Sequence, residues 1–174
     1  MDNVIRGGNW WFDTINTWIV LDEVRLPDVA RKKEAFTPGG GNWEVEWPEE
    51  FQAMTAGIKL KNNDPRIRGL CGREPGSWIT SYYYEHLRSY RNGEEKGRIV
   101  VLKGLLNAIK DDPKKAMKAT GIDYEFSTIV FYHDMFAGRS IHKLDFFSGP
   151  AATIVNGDRP FAGMARNLRL GGGT

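Results

Sequence analysis

Residues 77–90 read SWITSYYYEHLRSY and residues 98–109 read RIVVLKGLLNAI, with Arg91-Asn92-Gly93 between them. Trp78, Ile79, Thr80, Tyr82, Tyr83 and Tyr84 give the first stretch a strongly β composition. Asn-Gly accepts positive φ, so Arg91 to Gly93 predicts a turn between strands. The second stretch starts as a strand, with a kink expected at Gly104. A third strand follows over residues 123–132, DYEFSTIVFY. Ala137-Gly138 predicts the next turn, with strands over Arg139 to Phe147 and Ala151 to Val155 beyond it. Ile99-Val100-Val101-Leu102 and Thr128-Ile129-Val130-Phe131-Tyr132 are continuous apolar runs. That is the pattern of strands covered on both faces, one side by the core and the other by a neighbour.

Upstream, Gly7-Gly8 reads as a flexible lead-in. Asn9 to Asp13 and Thr17 to Arg25 predict a hairpin turning at Thr14-Ile15-Asn16 and closed by Leu26-Pro27. Residues 29–37, VARKKEAFT, are extended and charged, and they end at Pro38-Gly39-Gly40-Gly41. Trp43 to Trp47 then alternates, with Trp43, Val45 and Trp47 on one face and Glu44 and Glu46 on the other. The two segments flank a glycine tip, so residues 29–47 predict a long extended hairpin arm. It has little core of its own, and a neighbouring subunit is its natural partner. Glu49-Glu50 after Pro48 reads as a solvated turn, and Phe51 to Lys61 as strand.

Asn62-Asn63-Asp64-Pro65 predicts a helix start, with a short helix from Pro65 to Leu70 stopped near Gly72. Asp111-Asp112-Pro113 predicts a second helix, ended by Gly121. Phe161 to Leu170 is a C-terminal segment whose Phe161, Met164, Leu168 and Leu170 are candidate packing anchors, and residues 171–174 form a loose end. The sum is a mainly β (α+β) chain with roughly seven to ten strands and one or two short helices. No repeat or boundary divides it, so residues 1–174 are expected to form a single domain.

The composition is that of an ordinary globular protein: 41% hydrophobic and 26% charged residues over 174 positions, with a net charge of +2. Such a balance demands neither a nucleic-acid nor a membrane partner. Cys71 is the only cysteine and is expected to be a small, partly buried thiol. The N-terminus lacks the basic start and apolar stretch of a signal peptide, so synthesis and folding in the cytoplasm are expected. His86, His133 and His142 lie in strands or at strand ends. His133 and Asp134 are adjacent, so a strand sends them to opposite faces and they form no dyad. There is no Gly-x-Ser-x-Gly and no His-Glu-x-x-His, and no glycine-rich stretch leads into a helix with a following lysine. Tyr side chains interleaved with Arg88 and Arg91 suit single-stranded nucleic acid, but a strand with one packed face explains them more cheaply. No catalytic, cofactor-binding or metal-ligating residue is expected, and no cofactor.

Three stretches carry a resemblance to a known family. Leu26-Pro27, then Lys32, Glu34 and Phe36, then Gly39-Gly40, are similar to a leucine–proline turn, a charged strand and a glycine tip. Leu102-Lys103-Gly104-Leu105-Leu106 is similar to a leucine–basic–glycine–leucine–leucine run. Asn156-Gly157, Ala162-Gly163-Met164, Leu168 and Leu170 are similar to a C-terminal segment. All three occur in order in the major tail tube protein of contractile-tailed phages and R-type tailocins, which this chain resembles from Asn9 to Leu170. Residues 51–96 depart most from the family pattern.

The resemblance implies a β-barrel or sandwich with one or two short flanking helices, and a structural virion protein, not an enzyme. Its subunits would close into hexameric rings that stack into the inner tail tube, the conduit for genome delivery on sheath contraction. It also implies sheath protein, baseplate hub, tail terminator and tape measure protein as partners. DNA would pass through the lumen without sequence-specific binding; a strongly basic lining would retain phosphates, and a near-neutral chain permits passage. The expected location is the tail tube inside the sheath. Two alternatives stay open. One is the tube of a genome-free tailocin or secretion-type injection machine. The other is a monomeric β-barrel that binds a carbohydrate or other small ligand. A β-rich enzyme comes last, for want of a constellation.

Overall fold

The computed structural model describes residues 3–114, 116–118 and 120–170. Eleven strands occur in chain order: β1 (Asn3–Phe12), β2 (Ile15–Asn16), β3 (Leu21–Arg25), β4 (Arg31–Phe36), β5 (Val45–Phe51), β6 (Ala56–Leu60), β7 (Ile79–Ser89), β8 (Glu95–Asp111), β9 (Ile122–Phe136), β10 (Arg139–Asp145) and β11 (Ile154–Val155). Two short helices, α1 (Pro65–Arg68) and α2 (Ala162–Asn167), and a 3-10 turn at Pro150–Ala152 complete the described residues. The mainly β reading holds, and every pairing between named strands is antiparallel.

The stretches 77–90 and 98–109 pair with each other along most of β7 and β8, from Ile79 opposite Gly104 to Arg88 opposite Glu95. The turn between them has Gly93 at φ 69°, a left-handed conformation that glycine adopts without a Cβ clash. β8 pairs with β9 over almost its whole length. Gly104 is the site of a bulge and not of a strand end: the register shifts between Lys103 and Leu105. A side chain there would meet the Ser127 carbonyl at 2.8 Å, so only glycine lets the two backbones approach. Beside this bulge β9 changes partner. Its first half, to Phe126, pairs with β6, and its second half, from Phe131, pairs with β10. Thr128 between them takes φ 51°.

The result is one nine-stranded sheet ordered β11-β10-β9-β8-β7-β1-β2, with β6 and β3 branching from β9. The β6–β3 branch curls back to touch β1, so the barrel closes by packing and a few loop hydrogen bonds, such as Thr17 N donating to Trp10 O (3.1 Å). Trp10 and Phe12 of β1 meet Phe126 and Tyr124 of β9 at ring separations of 6.4 and 6.2 Å across the enclosed core. Ile58, Leu60, Leu102 and Leu106 fill the space between them. Each such side chain stabilises the fold by roughly 1.5–3 kcal/mol on burial.

Several local expectations change. Gly7-Gly8 is no lead-in but the middle of β1, where a side chain on Gly8 would run into the Tyr83 ring. The first hairpin turns at Asp13-Thr14, with Phe12 opposite Ile15, and β3 pairs with β6 and not with β1. Residues 52–55 interrupt the strand expected from Phe51 to Lys61, and Glu49-Glu50 lie within β5. The strand expected to reach Phe147 ends at Asp145, and the one expected from Ala151 starts as a 3-10 turn.

The α1 helix is capped as its sequence suggests: the Asp64 carboxylate accepts from Arg66 N–H at 2.9 Å, with Pro65 in the first turn. The helix expected between Asp111 and Gly121 does not form among the described residues; Lys115 and Ala119 lie outside them. The described residues of the segment form a loop between β8 and β9, tied by Asp112 N donating to Gly121 O (3.0 Å). Met117 takes φ 59° and is fully exposed. A short helix that buries no apolar face cannot offset the cost of nucleation. The second helix lies instead in the C-terminal segment, as α2.

Candidate assembly interface

On the core side, β7, β8 and β9 bring together one charged cluster. Arg98 donates to Asp134 through Nε (2.9 Å) and Nη2 (2.8 Å), and its Nη1 lies 3.5 Å from Glu85. Tyr83 and Tyr132 complete it through Glu85 (3.3 Å) and Asp134 (3.5 Å). The hydrogen bonds that Arg98 donates to Asp134 hold the guanidinium charged above its ordinary range, against the cost of burial. Burial, with the Asp134 charge, pushes the Tyr132 phenol up to about 12. Glu85 sits directly opposite Arg98 in the β7–β8 ladder, so the cluster fixes strand register.

The histidines do not converge. His133 Nε2 lies 2.9 Å from Ser140 Oγ on the face opposite Asp134, and burial lowers its pKa, helped by Lys143. His86 lies 4.0 Å from Glu95 at the far end of β7, and His142 borders a groove with Phe51 and Phe161. Among the described residues, no group of His, Cys, Asp and Glu could hold a metal ion. Cys71 is a free, half-buried thiol.

What the surface offers is contact area. Across the outer face of the sheet, Trp11, Tyr82, Val101, His133 and Lys143 form a row in register, all half-buried. Tyr82 and Tyr84 stack at 6.3 Å. The run at 99–102 thus has a packed inner side, Val100 and Leu102, and a half-open outer side, whereas in the run at 128–132 only Tyr132 is buried and Thr128 is exposed.

The expected arm is present as β4 and β5, a separate two-stranded sheet. Phe36 pairs with Val45 and Glu34 with Trp47, so these four share one face. Phe36, Val45 and Trp47 are 60%, 51% and 67% exposed. Trp43 and Glu44 stand ahead of β5 in the tip instead of in the strand. Lys33 pairs with Glu46 (2.7 Å) and Lys32 with Glu50 (2.5 Å). Glu49, hydrogen-bonded to Glu34, has its pKa raised by that contact.

The arm's root is held by residues far apart in sequence. Arg31 donates to the carbonyls of Glu49 (2.6 Å) and Pro48 (3.2 Å), and its guanidinium stands 5.7 Å from the ring centres of both Phe51 and Phe161. Phe51 and Phe161 meet edge to face at 6.4 Å. No periodicity pointed to this clamp, because a single contact between distant segments leaves no local pattern. Phe161 is therefore the inward anchor of the C-terminal segment, with Ala165 one turn on and buried. Met164, Leu168 and Leu170 are 51%, 61% and 47% exposed in the isolated chain. Asn156-Gly157, part of the family-like segment, is a tight turn with both residues at positive φ.

The described residues form a curled antiparallel barrel with a projecting hairpin and open apolar faces, which are surfaces suited to contact with other chains. The chain matches the family of the phage tail tube protein FII over residues 2–168, and it belongs to that family: it is a structural tail tube subunit. Its fold is similar to a chain in the cryo-EM structure of an extracellular contractile injection system, the PVC sheath–tube complex in its extended state. The similarity has a TM-score of 0.47 and 10% identity, covering 71% of this chain and 86% of that one. No curated protein matches the sequence.

Proposed function

We propose that six copies of this chain close into a ring and that the rings stack into the hollow inner tube of a contractile tail. The tube stands inside a sheath, meets a baseplate hub at one end and a tail terminator at the other, and encloses a tape measure protein before DNA passes. It has no catalytic role, and its subunits are made in the host cytoplasm. One observation carries this reading: the arm is a two-stranded sheet whose apolar face is left open by the described residues of its own chain. An isolated hairpin is marginal in water, and a subunit that maintains one gains its stability from contact with a partner. The family to which the chain belongs supports the same assembly.

Negative-stain microscopy of the purified protein at high concentration tests it. Hexameric rings or tubes are expected. A chain that stays monomeric at high concentration and across moderate changes in salt overturns it.

A further inference from the structure

We propose that the outer face of the β1–β7–β8–β9 sheet receives the arm of another copy, whose aromatic side chains sit over a glycine floor beside His86. The proposal rests on the reading that the chain self-assembles, and it names the two surfaces that meet.

The receiving face is one surface, because its residues stand in registered rows. Gly7, His86 and Gly97 lie opposite one another across β1, β7 and β8. Two residues along the same strands come Asn9, Tyr84, Ile99 and Met135, and then the row from Trp11 to Lys143. Every second residue of a strand shares a face. In β7 the alternation is clean, with Tyr83, Glu85 and Leu87 buried on the other side.

The glycines carry the inference. Glycine inside a strand weakens it and leaves a gap in its face. Gly8 and Gly104 have causes within the chain, since a Cβ on them would meet the Tyr83 ring and the Ser127 carbonyl. Gly7 and Gly97 do not. Neither takes a positive φ, and a Cβ on either would meet no atom within 4 Å. Gly7 borders the bulge at Arg6, but the β7–β8 ladder runs through Gly97 without a register shift. A strand glycine with no cause inside the chain marks the close approach of something outside it. Tyr84 and Trp18, 41% and 64% exposed, line the same shallow depression.

Shape and charge select the arm as the occupant. Phe36 stands opposite Val45 and Glu34 opposite Trp47, so one face of the arm carries two rings, a valine and a carboxylate. That face belongs to a two-stranded sheet, which can lie flat on another sheet and set its rings where the floor has no side chains. The three rows of the receiving face hold Lys143 and no carboxylate. The rows on either side balance, with Arg88 against Glu95 and Lys103 against Asp145. Residues 29–51 contain five carboxylates against three cations. Among the described residues no cation forms an ion pair with Glu34 or Glu44. A net acidic arm thus meets a face whose uncompensated charge is positive.

Other exposed apolar residues fit less well. Met164, Leu168 and Leu170 lie among Arg159, Arg166 and Arg169, and Met117 lies between Lys114 and Lys118, so both groups bring like charge to Lys143. Phe147 already packs on Trp78 at 6.0 Å. The contact is made between copies, because Phe36, Val45 and Trp47 are all at least half exposed in the isolated chain. Arm and receiving face are different surfaces, so the contact is heterologous and repeats from copy to copy.

Filling the floor tests this. Gly97→Leu places its side chain in open space, so circular dichroism and thermal melting should show a subunit at least as stable as the unaltered one. The concentration needed for tube formation should nevertheless rise by roughly tenfold or more. Gly97→Ala should fall between the two. In parallel, p-benzoylphenylalanine in place of Tyr84, carried by a minor fraction of chains in otherwise unaltered tubes, should on irradiation give covalent dimers on denaturing gels. Mass spectrometry should map the partner peptide to residues 34–47.

A Gly97→Leu chain that folds and assembles like the unaltered one overturns the docking and leaves the tube reading intact. Cross-links that map outside the arm do the same. A Gly97→Leu chain that fails to fold reveals a demand for glycine within the subunit and removes the premise. Failure of the unaltered chain to assemble at any concentration overturns the tube reading itself, and this proposal with it.

Discussion

Asp134 follows His133 in β9, and strand alternation sends the two side chains to opposite faces. That much is legible from two adjacent residues. That Asp134 meets Arg98 is not, because the contact depends on how β9 is set against β8. The Asp134 and Glu85 side chains are only 9% and 5% exposed, while Arg98 keeps 26%. Asp134→Ala would strip Arg98 of its bidentate partner and leave a half-buried charge. Breaking a buried pair costs about 3–5 kcal/mol, and the water left to Arg98 lowers this to roughly 2–4 kcal/mol. Glu85→Gln, acting at the longer 3.5 Å contact, should cost clearly less. Denaturant unfolding of both variants is the check, and equal losses would contradict the ranking. Gly104 shows the same division: its kink was visible, but its role as the bulge at which β9 changes partner was not.

At the scale of elements, the arm was the clearest reading and the loop at 111–121 the clearest miss. The arm's boundary follows from its glycine tip, which cannot continue a strand pairing. The missed helix had acidic caps and a proline in place, which are local signals, but no apolar stripe to bury, and burial is what stabilises a short helix. The C-terminal α2 shows the converse. Phe161 at its start makes no side-chain cap, yet the helix forms because Phe161 and Ala165 pack inward. The Phe51–Arg31–Phe161 cluster then makes arm orientation depend on the C-terminal segment. Phe161→Ala should speed cleavage at Pro38 to Asn42 by proteinase K in the isolated subunit several-fold, since the arm's root loses its ring contact. Assembly should slow that cleavage in the unaltered chain. Equal rates for subunit and tube would remove the arm from the interface.

At the scale of the whole molecule, the C-terminal segment packs through Phe161 and Ala165 and leaves Met164, Leu168 and Leu170 about half or more exposed. Ending the chain at Asp158 removes the inward Phe161 anchor together with Met164, Leu168 and Leu170. Each apolar side chain contributes roughly 1.5–3 kcal/mol when buried, so tubes should be lost. A chain ending at Leu170 should assemble like the full-length protein; residues 171–174 lie outside the described residues. Microscopy of both forms is the measurement. Normal tubes from the Asp158 form would refute the assignment, and lost tubes from the Leu170 form would move the anchor into the terminal glycines.

Sequence by itself determined that the chain is mainly β, where its longest strands lie, and that a glycine-tipped arm projects. Those are local properties, written in side-chain alternation, in β-branched and aromatic composition and in residues that tolerate positive φ. Only the tertiary structure decided which strand lies beside which. It set β3 on β6, split β9 between β6 and β10, curled the sheet until Trp10 met Phe126, and clamped Phe161 on Phe51. Alternation tells a strand which side chains face the core, but its backbone donors and acceptors are the same for every neighbour. The choice among neighbours is made by packing across the whole barrel.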